Sequence, residues 1–256
     1  MNNTTDTKRA GSLAIQFFKW VENNIYFPNT YFPFKKSWIP VNSKEYETPD
    51  PETGRSFRDM WEAQKKMLRP ALETRLDDDG REMFLYKNIY LSWSRGQGGT
   101  TMATLLMLWK AFNFEDQYIL FCDNDALSTD HHESYHFALA KRIIKNSPNL
   151  VPWAVVCRLD RRCLPIQQLE SDSMRSGVTG YFFDNLQEFS NRFNLVNSSM
   201  KNVFNALSVS TIPENMVKSF AKHPYSFVSV GDIYDYQWNS NGFQKEGINE
   251  RNKYKL

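Results

Sequence analysis

The stretch Ser94-Arg95-Gly96-Gln97-Gly98-Gly99-Thr100-Thr101 decides how this chain folds. Residues 84–93 before it are rich in aromatic and β-branched side chains, which predicts a strand. Residues 101–112 after it are apolar nearly all round, which predicts a buried helix. Glycines at such a junction let successive backbone N–H groups point into one concavity, and the helix N-terminus adds about half a positive charge. The stretch therefore predicts an anion site, and triphosphate is the anion most commonly held in this way.

This stretch differs from the usual phosphate-binding loop at one position. That loop carries a lysine before its Ser or Thr, and Gly99 stands there instead. The lysine normally offsets the charge of the β- and γ-phosphates, so another cation must take its place, and Arg95 is the nearest candidate. Thr100 or Thr101 could place a hydroxyl on Mg²⁺. The alternative interpretation is a glycine-rich turn that binds no ligand.

Strand and helix patterns alternate along the rest of the chain. Further strands are predicted at residues 118–122, 154–157, 203–209 and 226–230, and helices at 11–26, 57–72, 130–146 and 214–222. Such alternation predicts an α/β fold with a mainly parallel sheet and helices on both faces. With the glycine stretch Ser94–Thr101 after its first strand, the expected fold is P-loop NTPase-like. The stretch 158–196 shows no clear pattern.

Composition divides the chain into three regions. Residues 27–56 contain five prolines, which predicts an extended arm, and residues 1–56 are therefore expected to form an N-terminal arm. Residues 57–238 are expected to form the domain that contains the P-loop-like glycine stretch, and residues 239–256 a polar C-terminal tail. The formal net charge is only +2, so no overall basic field indicates a nucleic-acid partner. The three cysteines form no C-x-x-C pair, which indicates reduced thiols. With neither a secretory signal nor an apolar run of about 18 residues, we expect a cytoplasmic protein.

Several short motifs follow one another in a fixed order. They are Trp61-x-x-Gln64, Asp79-Gly80-Arg81, a strand at 89–91, the glycine loop from Arg95 to Thr100, a buried helix at 102–109 and Ser147-Pro148-Asn149-Leu150. Their order and spacing resemble the N-terminal ATPase half of phage terminase large subunits, whose Walker A loop also departs from the usual pattern. The resemblance covers residues 45–150 well, is thin from 150 to 200 and returns near 200–238.

The resemblance implies a nucleotide site, residue by residue. The stretch from Ser94 to Thr101 would bind the nucleotide, with Arg95 as the early basic residue and Thr100 as the hydroxyl that binds Mg²⁺. Gln64 would contact the adenine edge, because an amide donates and accepts together, and Trp61 would pack beside the base. Without the resemblance, Gln64 is interpreted as an exposed polar residue on an amphipathic helix.

The resemblance also implies a Walker B element, in which four apolar strand residues precede Asp-Glu. The candidate lies at residues 227–232, where Asp-Glu is absent. Either Asp232 stands for the Asp and binds Mg²⁺ through water, or Gly231 has replaced that Asp and Asp232 is a shortened Glu. Asp235 would supply the second acid, which polarises the attacking water. The alternative is a strand-end Asp that caps a turn.

The implied function is a motor that hydrolyses ATP, with Mg²⁺, to drive viral double-stranded DNA into a procapsid. The implied partners are the DNA, the portal, the small terminase subunit and further copies in a ring, with no membrane, in the cytoplasm of the infected host cell. The family's nuclease domain would not lie within this chain. Because Gly99 and Gly231 fall at the most demanding catalytic positions, a non-hydrolysing nucleotide-binding or structural homologue is the first alternative. A helicase-like nucleic-acid ATPase is the second.

Overall fold

A computed structural model gives the structure of the protein over part of the chain. The described residues are 12–28, 38–41, 43–49, 51, 54, 56–94, 96–114, 117, 119–122, 135–152, 179–183, 186, 206–222, 225–231, 236–239 and 242–245. The N-terminal elements are α1 (Ser12–Asn24), β1 (Tyr26–Pro28), β2 (Trp38–Pro40), α2 (Lys44–Glu47), α3 (Phe57–Leu68), a 3-10 turn (Arg69–Leu72), β3 (Thr74–Leu76) and β4 (Glu82–Phe84). They are followed by β5 (Asn88–Trp93), α4 (Gly99–Asn113), β6 (Ile119–Cys122), α5 (Tyr135–Asn146), β7 (Gly180–Phe183), β8 (Leu207–Thr211), a 3-10 turn (Glu214–Met216), α6 (Val217–Phe220), β9 (Ser226–Gly231), β10 (Tyr236–Asn239) and β11 (Gly242–Lys245).

Five of these strands form one sheet in which every neighbouring pair is parallel. Their order across the sheet is β6-β7-β8-β5-β9. Asn88 of β5 lies opposite Ser208 of β8 on one side and Ser226 of β9 on the other. Parallel neighbours require crossover connections, and α4 and α5 lie in two of them. The predicted α/β class with a mainly parallel sheet is confirmed.

Alternate residues of β5 face different helices. Ile89 and Leu91 belong to the hydrophobic core that contains the buried side chains of α4. Tyr90, between them, stacks on Phe220 of α6 with ring centroids 4.6 Å apart. Because successive side chains of a strand point to opposite faces, α4 and α6 cover opposite faces of the sheet.

Helix α4 is the centre of the larger core. Residues 102–110 are all buried, as the lack of a polar face predicts. Trp109 contacts the rings of Phe17, Phe84 and Phe114, with centroids between 5.3 and 6.0 Å apart. Each Å² of apolar surface buried contributes about 25 cal/mol, so a helix covered all round is a principal source of stability.

The described part of the N-terminal region shares this core. Phe17 and Val21 of α1 and Ile39 of β2 are completely buried beside α4. Among the described residues of 27–56, where the prolines lie, the regular elements are two short strands and the one-turn helix α2. Ile39 and Tyr46, which lie between prolines in the sequence, are nevertheless buried. The division of the chain at residue 56 stays a prediction.

In the middle of the chain one prediction is wrong, and a stretch without an assignment contains a strand. Residues 84–93, predicted as one strand, contribute to two, because β4 pairs with β3 in a hairpin whereas β5 joins the central sheet. At the break, the N–H groups of Lys87 and Asn88 both donate to the carbonyl of Tyr225, at 2.9 and 3.1 Å. The stretch 158–196, which shows no clear sequence pattern, contains β7 in the interior of the sheet.

The helix predicted over 214–222 needs correction. The segment begins with a 3-10 turn, which follows Pro213 in an extended conformation with φ −70° and ψ 155°. The helical segment ends at Phe220. The polar tail predicted from residue 239 includes β11, which pairs antiparallel with β10.

Some expectations lie outside the described residues. They include the strand at 154–157 and the first residues of the helix predicted at 130–146. None of the helices in the described ranges is long and apolar enough to cross a membrane.

Candidate functional site

The sheet has a topological switch point between β5 and β8. The connection after β5 leads past β8 and β7 to β6, whereas the connection after β8 leads past β5 to β9. The helices of these two connections, α4 and α6, cover opposite faces. In open α/β sheets, ligands bind in the crevice at such a point, outside the carboxyl ends of the strands. The glycine stretch leaves β5 at this crevice.

Two glycines give the loop its shape. Gly96 and Gly98 both have φ of 83°, a left-handed conformation that side chains rarely adopt. The N–H of Gln97 donates to the carbonyl of Ser94 at 3.2 Å and closes the turn. Helix α4 begins directly after Gly98, so the loop leads into a helix N-terminus, as predicted. Arg95 lies outside the described residues.

The first turn of α4 carries nothing that would repel an anion. No side chain caps this end of the helix, and the first turn has no acidic residue. Thr100 and Thr101 are partly exposed there, and the hydroxyl of Thr104 donates to the carbonyl of Thr100 at 2.9 Å. The aligned peptide dipoles place partial positive charge at this end. The arrangement can therefore hold an anion beside two threonines.

Gly99, at the position of the missing lysine, has room for a side chain. A Cβ added there would lie 3.9 Å from Cγ2 of Thr211 and 3.9 Å from Cβ of Trp93, which is ordinary van der Waals contact. Gly99 is also free of the left-handed conformation of Gly98. Neither the backbone conformation nor the space around a Cβ therefore requires glycine at this position. Thr211, at the end of β8, forms a wall of the crevice that no local sequence pattern indicates.

Gln64 contacts the loop itself. Its side-chain Nε2 donates to the carbonyl of Gln97 at 2.8 Å, and both residues are nearly inaccessible, at 3% and 2% exposure. Two motifs distant in the sequence are thus brought together. The interpretation of Gln64 as an exposed surface residue is wrong, because the amide is held inside. The adenine contact stays a prediction, and one of the amide's donors is already engaged by the loop.

Trp61 lies in the core between α1 and α3. Its ring contacts Phe18 and Phe27, with centroids 5.8 and 5.5 Å away, and its Nε1 donates to Glu22 at 3.0 Å. Only 2% of the residue is exposed. Little of the ring surface is left for a nucleotide base, so the contacts found here are those of a core residue.

The predicted Walker B acids follow β9 in the sequence. Asp232 and Asp235 lie outside the described residues, so their roles stay predictions. Gly231, the last residue of β9, lies opposite Trp93. A Cβ at Gly231 would lie 2.5 Å from Sδ of Met67, which would have to move. Glycine at this position thus lets β9 lie close to the side chain of Met67 in α3.

The sheet adds a second candidate for the acidic element, after β7. This strand has four residues, its two central aromatic side chains are completely buried, and the next residues in the sequence are Asp184 and Asn185. Four strand residues followed by an acid match the Walker B rule better than residues 227–232, which Ser229 interrupts. Asp184 and Asn185 lie outside the described residues. The pattern of four strand residues followed by an acid can be found in the sequence, but it lies in the stretch 158–196, where no alternation of strands and helices marks it.

Comparison of the sequence with models of protein families found no match, and comparison with curated proteins found none. Within the described ranges, no group of three His, Cys, Asp or Glu side chains is arranged to hold a metal ion. Thr100 and Thr101, the hydroxyl residues predicted as candidates for Mg²⁺, are described and lie at the start of α4.

Proposed function

We propose that this chain binds a nucleoside triphosphate with Mg²⁺ at residues 94–101, as the ATPase domain of a terminase-type DNA-packaging motor. One observation carries the proposal. A loop shaped by two glycines leaves β5 at the switch point of the sheet and leads into the N-terminus of a 15-residue helix. The first turn of this helix has neither a side-chain cap nor an acidic residue. The oxygens of a triphosphate accept from backbone N–H groups in such a concavity.

Each predicted site residue has a role in this proposal. Backbone N–H groups of the loop hold the phosphates, and Arg95 supplies the cation that Gly99 lacks. Thr100 offers its hydroxyl to Mg²⁺, and Asp184 or Asp232 holds the ion through water. When bound, Mg²⁺ offsets the charge of the phosphates. A carboxylate near Asp232, for which Asp235 is the candidate, polarises the attacking water.

The motor function rests on the order of motifs along residues 45–150. In its support, the side chain of Gln64 touches the loop although 33 positions separate it from Gln97. Under this proposal a ring of copies moves double-stranded DNA into a procapsid with the portal and the small subunit, and a neighbouring copy supplies an arginine to the phosphates.

A domain that binds Mg²⁺–ATP without hydrolysing it is the second candidate. Gly99 leaves the first turn of α4 without an ammonium group, although a Cβ has room there. Asp184 is followed by Asn185, where the Walker B rule has glutamate. An amide does not take a proton from water as a carboxylate does, so binding would persist without turnover.

The test is calorimetric binding of Mg²⁺–ATP, together with phosphate release, for the full chain and its Arg95→Ala variant. An active motor hydrolyses ATP and loses about 100-fold or more of its turnover in the variant, the scale seen when one group that stabilises transition-state charge is removed. Binding without turnover by the wild-type chain favours the second candidate. A folded chain that does not bind Mg²⁺–ATP contradicts both.

A matched pair of variants identifies the acid. Asp184→Asn and Asp232→Asn each replace one carboxylate by an amide of the same shape. The variant that weakens binding of Mg²⁺–ATP, while leaving the weaker binding of ATP in EDTA unchanged, marks the residue that holds the ion. If neither has this effect, both assignments are wrong.

A further inference from the structure

Helix α3 contacts the glycine loop through a buried hydrogen bond. The donor is Nε2 of Gln64 and the acceptor is the carbonyl of Gln97, 2.8 Å away. Gln97 is the residue between the two left-handed glycines, so the bond holds the loop at its most curved point. A Cβ on Gly98 would lie 2.6 Å from the same Nε2, which shows how closely the amide fits against the loop.

The same helix is connected to the strand that carries the loop. Nε1 of Trp93, the last residue of β5, donates to Oγ of Ser229 at 2.9 Å. The hydroxyl of Ser229 in turn donates to the carbonyl of Met67 in α3, also at 2.9 Å. Ser229 is only 2% exposed, and its bond to Met67 is buried, whereas the bond from Trp93 is partly buried. Trp93 also flanks Gly99, where its Cβ lies 3.9 Å from an added side chain.

Helix α3 is itself firmly held. Its N-terminus has a capping box in which Ser56 and Asp59 bond each other's backbone. Trp61 and Lys65 both donate to the carboxylate of Glu22 in α1, at 3.0 and 2.8 Å. A helix fixed in this way can determine the geometry of what it holds.

We propose that α3 is the positioning element of the loop, with Gln64 and Ser229 as positioning residues. Gln64 and Met67 lie three positions apart, hence on one side of the helix. From that side, α3 holds the curve of the loop directly and the end of β5 through Ser229. The loop is thereby preorganised before any ligand arrives, which reduces the entropy lost on binding. That this preorganisation serves a triphosphate rests on the function proposed above.

The test is hydrogen exchange of residues 94–101 in the full chain without ligand. Gln64→Met keeps the length of the side chain but removes its donor, Ser229→Ala breaks both bonds of the relay, and Trp93→Phe breaks only the outer one. One buried hydrogen bond contributes about 1 kcal/mol, so Gln64→Met should speed exchange of the loop roughly fivefold and Ser229→Ala by at least as much. Trp93→Phe should have a smaller effect than Ser229→Ala.

Asn113→Ala is the matched control, because it removes a side-chain bond to the Trp109 carbonyl at the other end of α4. Its loop exchange should equal that of the wild type. Unchanged loop exchange in both Gln64→Met and Ser229→Ala overturns the proposal. An equal increase in the β3–β4 hairpin also overturns it, since that would indicate general destabilisation.

Mg²⁺–ATP titrations of the same variants separate this proposal from the preceding one. If the wild-type chain binds, Gln64→Met and Ser229→Ala should raise Kd roughly fivefold, with no change in Asn113→Ala. If loop exchange speeds up in these variants while the Kd for Mg²⁺–ATP stays unchanged, Gln64 and Ser229 do not contribute to nucleotide binding. A wild-type chain that does not bind, but whose loop loosens locally in the variants, overturns the nucleotide function and leaves the positioning role of α3 supported.

Discussion

The two ends of α4 are constructed in opposite ways. The N-terminal end is made of glycines and threonines, and no side chain caps it. At the C-terminal end, Lys110 is completely buried and its ammonium group donates to the carbonyl of Thr179 at 2.9 Å and to the side chain of Gln117. Asn113 closes the last turn by donating to the carbonyl of Trp109.

The difference shows which end of the helix can interact with something outside the fold. Polar groups at the C-terminal end are satisfied by the protein itself, so that end holds β6 and β7 in place through Gln117 and Thr179. The N-terminal end keeps its positive partial charge, because the first turn of α4 contains no acidic residue to neutralise it. Changes at the C-terminal end of α4 should therefore affect stability alone. Changes at its N-terminal end should affect ligand binding as well as stability.

The largest expected effect comes from Gly98→Ala. Alanine in a left-handed conformation costs about 1–2 kcal/mol, and the new methyl group would displace the amide of Gln64, a loss of about 1 kcal/mol more. We expect the free energy of unfolding in urea to fall by about 2–3 kcal/mol. Gly99→Ala, one residue along, is the control and should be neutral or slightly stabilising, because its Cβ has room. Equal losses in the two variants would contradict this account of the loop.

The next effect is the dependence of stability on pH that Lys110 causes. Burial lowers the pKa of Lys110 from 10.5 to about 7. Between these two values the unfolded chain binds the proton and the folded chain does not, so stability should rise with pH, by about 2 kcal/mol from pH 7 to pH 9. Below pH 7 both states are protonated and this dependence vanishes.

Lys110→Met tests that prediction, because it removes the titrating group and keeps the aliphatic chain. Urea unfolding at pH 7, 8 and 9 should show a smaller rise for the variant than for the wild type. Parallel curves for the two proteins would mean that Lys110 keeps its proton in the folded state over this range.

A smaller effect should follow from placing a positive charge at the N-terminal end of α4. In Gly99→Lys, the ammonium group would stand where the usual phosphate loop has it, and a charge-assisted bond to phosphate contributes about 1.5–3 kcal/mol. We expect Mg²⁺–ATP to bind about tenfold more tightly. Gly99→Met, with a neutral chain of similar length, should not improve binding. An equal gain in both variants would show that contact area, not charge, is responsible.

The smallest expected effect is that of Asn113→Ala at the C-terminal end of α4. Loss of one partly buried side-chain bond should lower the free energy of unfolding by about 1 kcal/mol. Binding of Mg²⁺–ATP should not change, since the altered residue lies at the opposite end of the helix. A marked loss of binding would show that the two ends of α4 are coupled.

Several features of the site follow from local sequence. The glycines of the loop, the buried helix after it and the strand before it are recognisable because conformational freedom and apolar periodicity belong to neighbouring residues. The candidate site residues that no local pattern indicates are of another kind. Thr211 and Asp184 end or follow strands whose place in the sheet depends on residues far away. Trp61 has the same local pattern whether its ring packs in a core or against a ligand.

By itself, the sequence determined that a glycine-rich turn joins a strand to an apolar helix, and that strands and helices alternate. Only the tertiary structure decided which strands lie beside β5 and which side chains reach the loop. Trp93 and Ser229 are 136 positions apart, and Ser229 and Met67 are 162 apart. Parallel pairing joins such distant segments through backbone bonds that are the same for almost every residue, so no local pattern records the choice of partner. That choice depends on which arrangement buries the apolar faces of all the elements together.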